Sequence, residues 1–167
     1  QSYIFEACIS PESISALDDA GKYYAASMGA LLSVFIPKLF LEAPDTFLKF
    51  PEKRKSLAHA PETVLFQMES DERFGQYRAQ VRQSFARGSS VMFIVPTHLE
   101  VMFAKEYLSK GIEEFAHVFA LSGKKSELKK RWSAALNEPH PILFITTPAG
   151  LMFPRGDLDT IIVEREN

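Results

Sequence analysis

The sequence predicts an α/β fold: a parallel sheet of about five strands flanked by helices. Three observations carry this. Five short apolar runs recur between residues 63 and 163. Uninterrupted runs of this kind suit strands buried on both faces. Segments with apolar residues at helical spacing separate most of these runs, and strand–helix alternation marks a parallel sheet with crossover helices. The last run, Thr160 to Val163, passes directly into Glu164, Arg165, Glu166 and Asn167. In open α/β sheets the carboxyl ends of the strands face the ligand crevice. An acidic residue just past such a strand is where nucleoside triphosphatases hold magnesium.

The chain in order supports that layout. Ser10-Pro11-Glu12 reads as a helix start, with Ser as N-cap and Pro at the first helical position. Ile14, Leu17, Ala20, Tyr24 and Met28 follow at near-helical spacing, and Gly21 and Gly29 weaken or end that helix. Ala30 to Ile36 is a second apolar run, read as helical and ended by Pro37. With a small hairpin, these helices read as a winged-helix-like module over residues 1–55. Glu42 to Ala60 has the prolines of a linker and carries the cluster Lys53-Arg54-Lys55. Such a cluster suits either phosphate contact or a solvated loop.

Residues 56–167 hold the sheet. Thr63 to Gln67 is the first expected strand. A helix from Phe74 to Arg87 follows, with Tyr77, Val81 and Phe85 at intervals of four and Gly88 as its C-terminal cap. Ser90 to Val95 is the second strand, Leu99 to Leu108 a helix, and His117 to Leu121 the third strand. Lys124 to Leu136 is a helix with Leu128, Trp132 and Leu136 in register. Ile142 to Thr146 and Thr160 to Val163 are strands four and five.

Composition bounds the function. The chain has 167 residues, is 46% hydrophobic and 24% charged, and carries 19 Lys and Arg against 21 Asp and Glu, a formal charge of −2. Bulk charge therefore does not mark a basic nucleic-acid binder. The single cysteine, Cys8, excludes an internal disulfide and a cysteine-rich zinc site. His59, His98, His117 and His140 lack metal-ligand spacing, so no metal site is expected. His117 reads as a satisfied core or edge residue. No apolar run reaches the length of a membrane span, and no cleavable signal is visible, so the expected compartment is the cytoplasm. The chain begins with Gln1 and stops directly after a motif, which suits a piece of a longer protein.

The motifs resemble one family. Ile145-Thr146-Thr147-Pro148-Ala149-Gly150-Leu151-Met152-Phe153-Pro154, then Leu158 and Ile161-Ile162-Val163, follow the spacing I-G-T-R-S-A-L-F-x-P … I-I-V-D-E-E-H. Leu17, Ala20, Tyr23-Tyr24, Met28-Gly29, Leu31-Leu32, Phe35 and Ile36-Pro37 fit a segment L-x-x-A-x-Y-Y-x-x-x-L-G-E-V-L-x-x-x-L-P. Tyr23 and Tyr24 also suit plain core and rim aromatics. Trp132 falls on a tryptophan of the same pattern. In these positions the chain resembles primosomal protein N′, the replication-restart DNA helicase, over nearly its whole length. The resemblance implies a RecA-like first helicase lobe behind a winged-helix-like module, forked or branched DNA and replisome proteins as partners, and ATP with magnesium as the family's cofactors.

The catalytic letters depart from that pattern. Glu164-Arg165-Glu166-Asn167 fall on D-E-E-H, and only Glu166 is identical, so Glu164 and Glu166 are the degenerate catalytic candidates. A phosphate-binding loop G-x-x-x-x-G-K-S/T should follow the first strand, because its backbone N–H groups and lysine hold the phosphates. Met68 to Gln76 offers no lysine and one glycine, and it adds Glu69, Asp71 and Glu72. Arg73 and Gly75 are all that remains for a cofactor, and Arg73 equally suits a surface arginine. Val95-Pro96-Thr97-His98 and Leu121-Ser122-Gly123 retain family positions but lose family chemistry. Lys53, Arg54, Lys55, Lys124, Lys125, Lys129 and Lys130 are the DNA-contact candidates, and the four lysines between 124 and 130 equally suit a solvated helix face.

The leading expectation is a DNA-binding chain that retains the fold, has lost the ATPase chemistry and takes no cofactor. An active ATP-dependent helicase fragment is the alternative. A protein-interaction module without nucleic acid is the third reading.

Overall fold

The computed structural model describes residues 11–36, 38–42 and 62–164. Its centre is a four-stranded, all-parallel sheet. The strands are β1 (Ser90–Ile94), β2 (Ala116–Phe119), β3 (Leu143–Thr146) and β4 (Leu158–Val163), in spatial order β2-β3-β1-β4. β1 pairs with β3 from Val91↔Leu143 to Ile94↔Thr146 and with β4 up to Ile94↔Val163.

The expected five strands are therefore four among the described residues. The run 63–67 forms no regular element. Val64 is 59% and Leu65 88% exposed, and only Phe66 turns inward, its ring 6.0 Å from Tyr77. An apolar run becomes a strand only when a ladder takes its backbone groups; here composition was present and the ladder was not. β4 in turn is not covered on both faces. Ile162 is buried while Ile161 and Val163 lie more than half exposed, the alternation of a strand with one wet face.

The helices are α1 (Pro11–Tyr24), α2 (Met28–Phe35), α3 (Lys38–Glu42), α4 (Ser70–Ala86), α5 (His98–Leu108) and α6 (Lys125–Asn137). α4 begins four residues before the expected start at Phe74. Asp71 and Glu72 stand in its first turn, where negative side chains complement the helix dipole. Beyond Arg87, the chain turns at Gly88 with φ +73°, a conformation glycine adopts without penalty. α5 starts on a capping box: the Thr97 hydroxyl accepts from the Glu100 N–H, and the Glu100 carboxylate accepts from the Thr97 N–H.

Period-two alternation divides the core between the faces of the sheet. Val91, Phe93, Leu143 and Ile145 point to α4 and α5, packing with Phe74, Tyr77, Val81, Val101 and Leu108. Met92, Ile94, Ile142 and Phe144 point to the other side, where Trp132 and Leu128 of α6 meet them. Trp132 is fully buried among the rings of Phe40 (4.4 Å), Phe153 (4.7 Å), Phe119 (4.8 Å) and Phe144 (6.0 Å). Ile36 and Phe40 thus bring the N-terminal helices into the core of the sheet. The hairpin of a winged helix, and the boundary near residue 55, lie outside the described residues. Tyr23 and Tyr24 are not core aromatics: both are exposed at the end of α1, edge to face at 4.8 Å.

The amino ends of the strands are tied by Arg155, which is buried. Its guanidinium donates to both Asp157 oxygens, to the Ser90 hydroxyl, and to the carbonyls of Ala135 and His140. One side chain so joins α6, the turn before β3, the start of β1 and the loop before β4. Gly150, in the 3₁₀ turn Pro148–Gly150, lies hard against Thr146, and a Cβ there would collide with that side chain.

Candidate functional site

The carboxyl ends of β1 and β4 open on a cleft of about 270 Å³, lined by Ser70, Arg73, Phe74, Val95, Glu100, Phe103 and Glu164. Glu164 stands one residue past β4. Its N–H donates to the Ile94 carbonyl at 2.8 Å, which continues the ladder and fixes the side chain at the sheet's edge of the cleft. Glu164 is 4% exposed. A carboxylate so enclosed needs a counter-charge, and Arg73 supplies it. Nη2 donates to Oε1 at 2.7 Å and Nε to Oε2 at 3.1 Å, a two-pronged fork, while Nη1 donates to the Met68 carbonyl at 2.9 Å.

The pair perturbs its surroundings. The hydrogen bond to Glu164 raises the Arg73 guanidinium above its already high range. Burial, and then the Glu164 carboxylate, push the Tyr77 phenol well above its ordinary value, so it stays neutral.

Arg73 is neither a surface arginine nor a member of a loop: it sits in the first turn of α4 and points inward at Glu164. Gly75 lies further along the same helix with open space where a Cβ would stand, so no close backbone approach requires it. The expected phosphate loop is thus helical from Ser70 onward. Glu166 and Arg165 lie outside the described residues, as do Lys53, Arg54 and Lys55.

Lys124 is the N-cap residue of α6, and Lys124, Lys125 and Lys130 are exposed while Lys129 is half-buried. Leu128 and Trp132 face inward from the same helix, so the lysines line its outer side. Lys125 donates to Glu42 Oε2 at 2.7 Å.

His98 and Ser122 meet at 3.3 Å, joining the start of α5 to the loop that follows β2. His117, on β2, is not satisfied: its Nε2 is buried and has no hydrogen-bond partner among the described residues. Among the described residues, no group of three or more His, Cys, Asp or Glu is placed to hold a metal ion, and no helix is long and apolar enough to cross a membrane.

Sequence reasoning did not find the pairing of Arg73 with Glu164. The two are 91 positions apart, and the one signal in the sequence is that each departs from the motif its segment resembles. It also missed Arg155, whose partners include two main-chain carbonyls.

Comparison of the chain with family models, curated proteins and solved structures finds no match.

Proposed function

We propose that this chain is a nucleotide-independent DNA-binding module, with the RecA-like lobe expected from its resemblance to primosomal protein N′ and without that family's ATPase chemistry. The observation that carries the reading is the Arg73–Glu164 fork. Magnesium bound to a triphosphate needs a carboxylate with a free oxygen facing the phosphates, and Arg73 engages both oxygens of Glu164. A triphosphate also needs a wrap of backbone N–H groups and a lysine. The segment in that position is the acidic first turn of α4, with Asp71 and Glu72, and like charges repel an incoming phosphate.

The parallel four-stranded sheet, with helices on both faces and a cleft at the strands' carboxyl ends, supports the RecA-like reading. The outer side of α6, carrying Lys124, Lys125, Lys129 and Lys130, supports a contact with DNA backbone. The resemblance supports forked or branched DNA as the substrate, replication restart as the process and replisome proteins as further partners; the cytoplasm is the compartment expected from a sequence with no apolar run of membrane-spanning length.

Calorimetric titration with magnesium-ATP tests the first half. Binding weaker than roughly 1 mM, about 4 kcal/mol, is expected, and a micromolar dissociation constant overturns it. Binding of a synthetic forked duplex across a salt series tests the second half. Affinity should fall steeply with salt. Replacing Lys124, Lys125, Lys129 and Lys130 with Ala should weaken binding and flatten the slope by about 0.9 for each phosphate that is no longer neutralised.

A further inference from the structure

The lysine face of α6 is not wholly free. Its own helix carries one acidic residue in the first turn, Glu127. A second carboxylate, Glu42, arrives from α3 and accepts a 2.7 Å hydrogen bond from Lys125. The approach is fixed by packing. Two residues before Glu42, the Phe40 ring is fully buried against Trp132 of α6 at 4.4 Å and Phe119 at 5.8 Å. The last turn of α3 is therefore held beside the first turn of α6, with the Glu42 carboxylate against the Lys125 ammonium.

We infer that Glu42 is an autoinhibitory cover on the lysine face of α6, a carboxylate that occupies Lys125 and must be displaced when a nucleic-acid phosphate binds there. This rests on the proposed DNA contact of that face. The side chains are 71% exposed at Lys125 and 43% at Glu42, so the pair exchanges with solvent and with competing anions. An exposed ion pair is weak and salt-screened, as a displaceable cover needs to be. The Lys125 ammonium, hydrogen-bonded to it, holds the Glu42 carboxyl below the usual range, with Lys38 adding to the effect. The carboxylate is therefore charged at neutral pH and competes with phosphate for Lys125. A phosphate that replaces it gains one lysine contact and releases one counterion.

The test compares three proteins on one synthetic forked duplex: the natural chain, E42Q, and the variant with Lys124, Lys125, Lys129 and Lys130 all changed to Ala. Each is titrated from about 50 to 200 mM salt. Glu42→Gln keeps the shape and removes the charge. It should tighten binding about two- to fivefold, the factor an exposed ion pair is worth, with the advantage largest at the low-salt end, where the competing pair is least screened. Trp132 fluorescence, sensitive to the adjoining Phe40, confirms that α3 stays docked. If the quadruple variant loses affinity while E42Q binds like the natural chain, the cover is refuted and the DNA-binding face stands. If the quadruple variant binds as the natural chain does, the face itself is refuted, and the cover with it.

Discussion

Arg73→Met would leave the Glu164 carboxylate enclosed with no counter-charge. The side chain of Arg73 is 17% exposed and that of Glu164 5%, so solvent screens the pair little. Breaking a buried pair by removing one partner costs about 3–5 kcal/mol. The lower end applies here, because the arginine keeps one edge in the cleft. In a chain of this length, 1 kcal/mol moves Tm by about 2–4 °C, so a loss of about 3 kcal/mol lowers it by roughly 6–12 °C. Glu164→Leu strands the guanidinium instead, but Nη1 keeps its bond to the Met68 carbonyl, and a loss of about 2 kcal/mol is expected for the remaining unpaired donors. The double variant Arg73→Met with Glu164→Leu replaces a buried pair by apolar groups, which is often close to neutral. The two single losses should therefore not add, and the cycle should return a coupling of about 3 kcal/mol or more. Urea and thermal unfolding followed by Trp132 fluorescence measure all four corners. Arg73→Met within about 0.5 kcal/mol of the natural chain, the range of ordinary surface changes, refutes the buried pair, as does additivity of the two single losses.

Three other outcomes follow from the packing and the titrating groups. Trp132→Ala removes the ring at the centre of four phenylalanines; a loss of about 3–5 kcal/mol is expected by chemical denaturation, with Trp132→Phe losing less. Burial depresses the His117 pKa, with Arg155 and Lys105 pushing the same way and Glu138 opposing. A depressed histidine is held neutral in the fold, so its stability is fully present above the unfolded value of about 6.5 and is lost as pH falls through the lower folded value. Tm should fall between pH 7 and 5, and His117→Gln should flatten that slope. Gly150→Ala places a Cβ against the Thr146 side chain; a loss of about 1–3 kcal/mol is expected from overpacking, and pairing it with Thr146→Ala, which removes the hydroxyl and the methyl that the new Cβ meets, should recover part of it.

The parts of the fold that were legible in the sequence are those decided locally. β1 and β3 were found within a residue because Val91–Val95 and Ile142–Ile145 are buried on both faces and read as unbroken apolar runs. α6 was found because Leu128 and Trp132 repeat at helical spacing under a basic surface. The run 63–67 has the same composition as a buried strand, yet whether a neighbour accepts its hydrogen bonds is not written in those residues. The start of α4 was hidden because Ser70, Asp71 and Glu72 suit a loop as well as a first helical turn. For the candidate site, the sequence marked Glu164 and Arg73 separately and by altered chemistry. That they meet depends on the packing of α4 against β4, which no local pattern encodes.

The span of the Arg73–Glu164 fork has a kinetic consequence. The bond closes a loop of 91 positions, from the first turn of one helix to the end of the last strand. Closing such a loop has an entropic cost that is met before the contact returns anything, and contacts of this separation slow the search for the native state. α4, β1 and α5 follow one another closely along the chain, so their mutual packing is available early. The fork waits for β4 to dock beside β1. Interactions formed after the folding transition state act on the unfolding rate, so this ion pair is expected to bear more on how long the finished sheet holds β4 than on how quickly the sheet assembles.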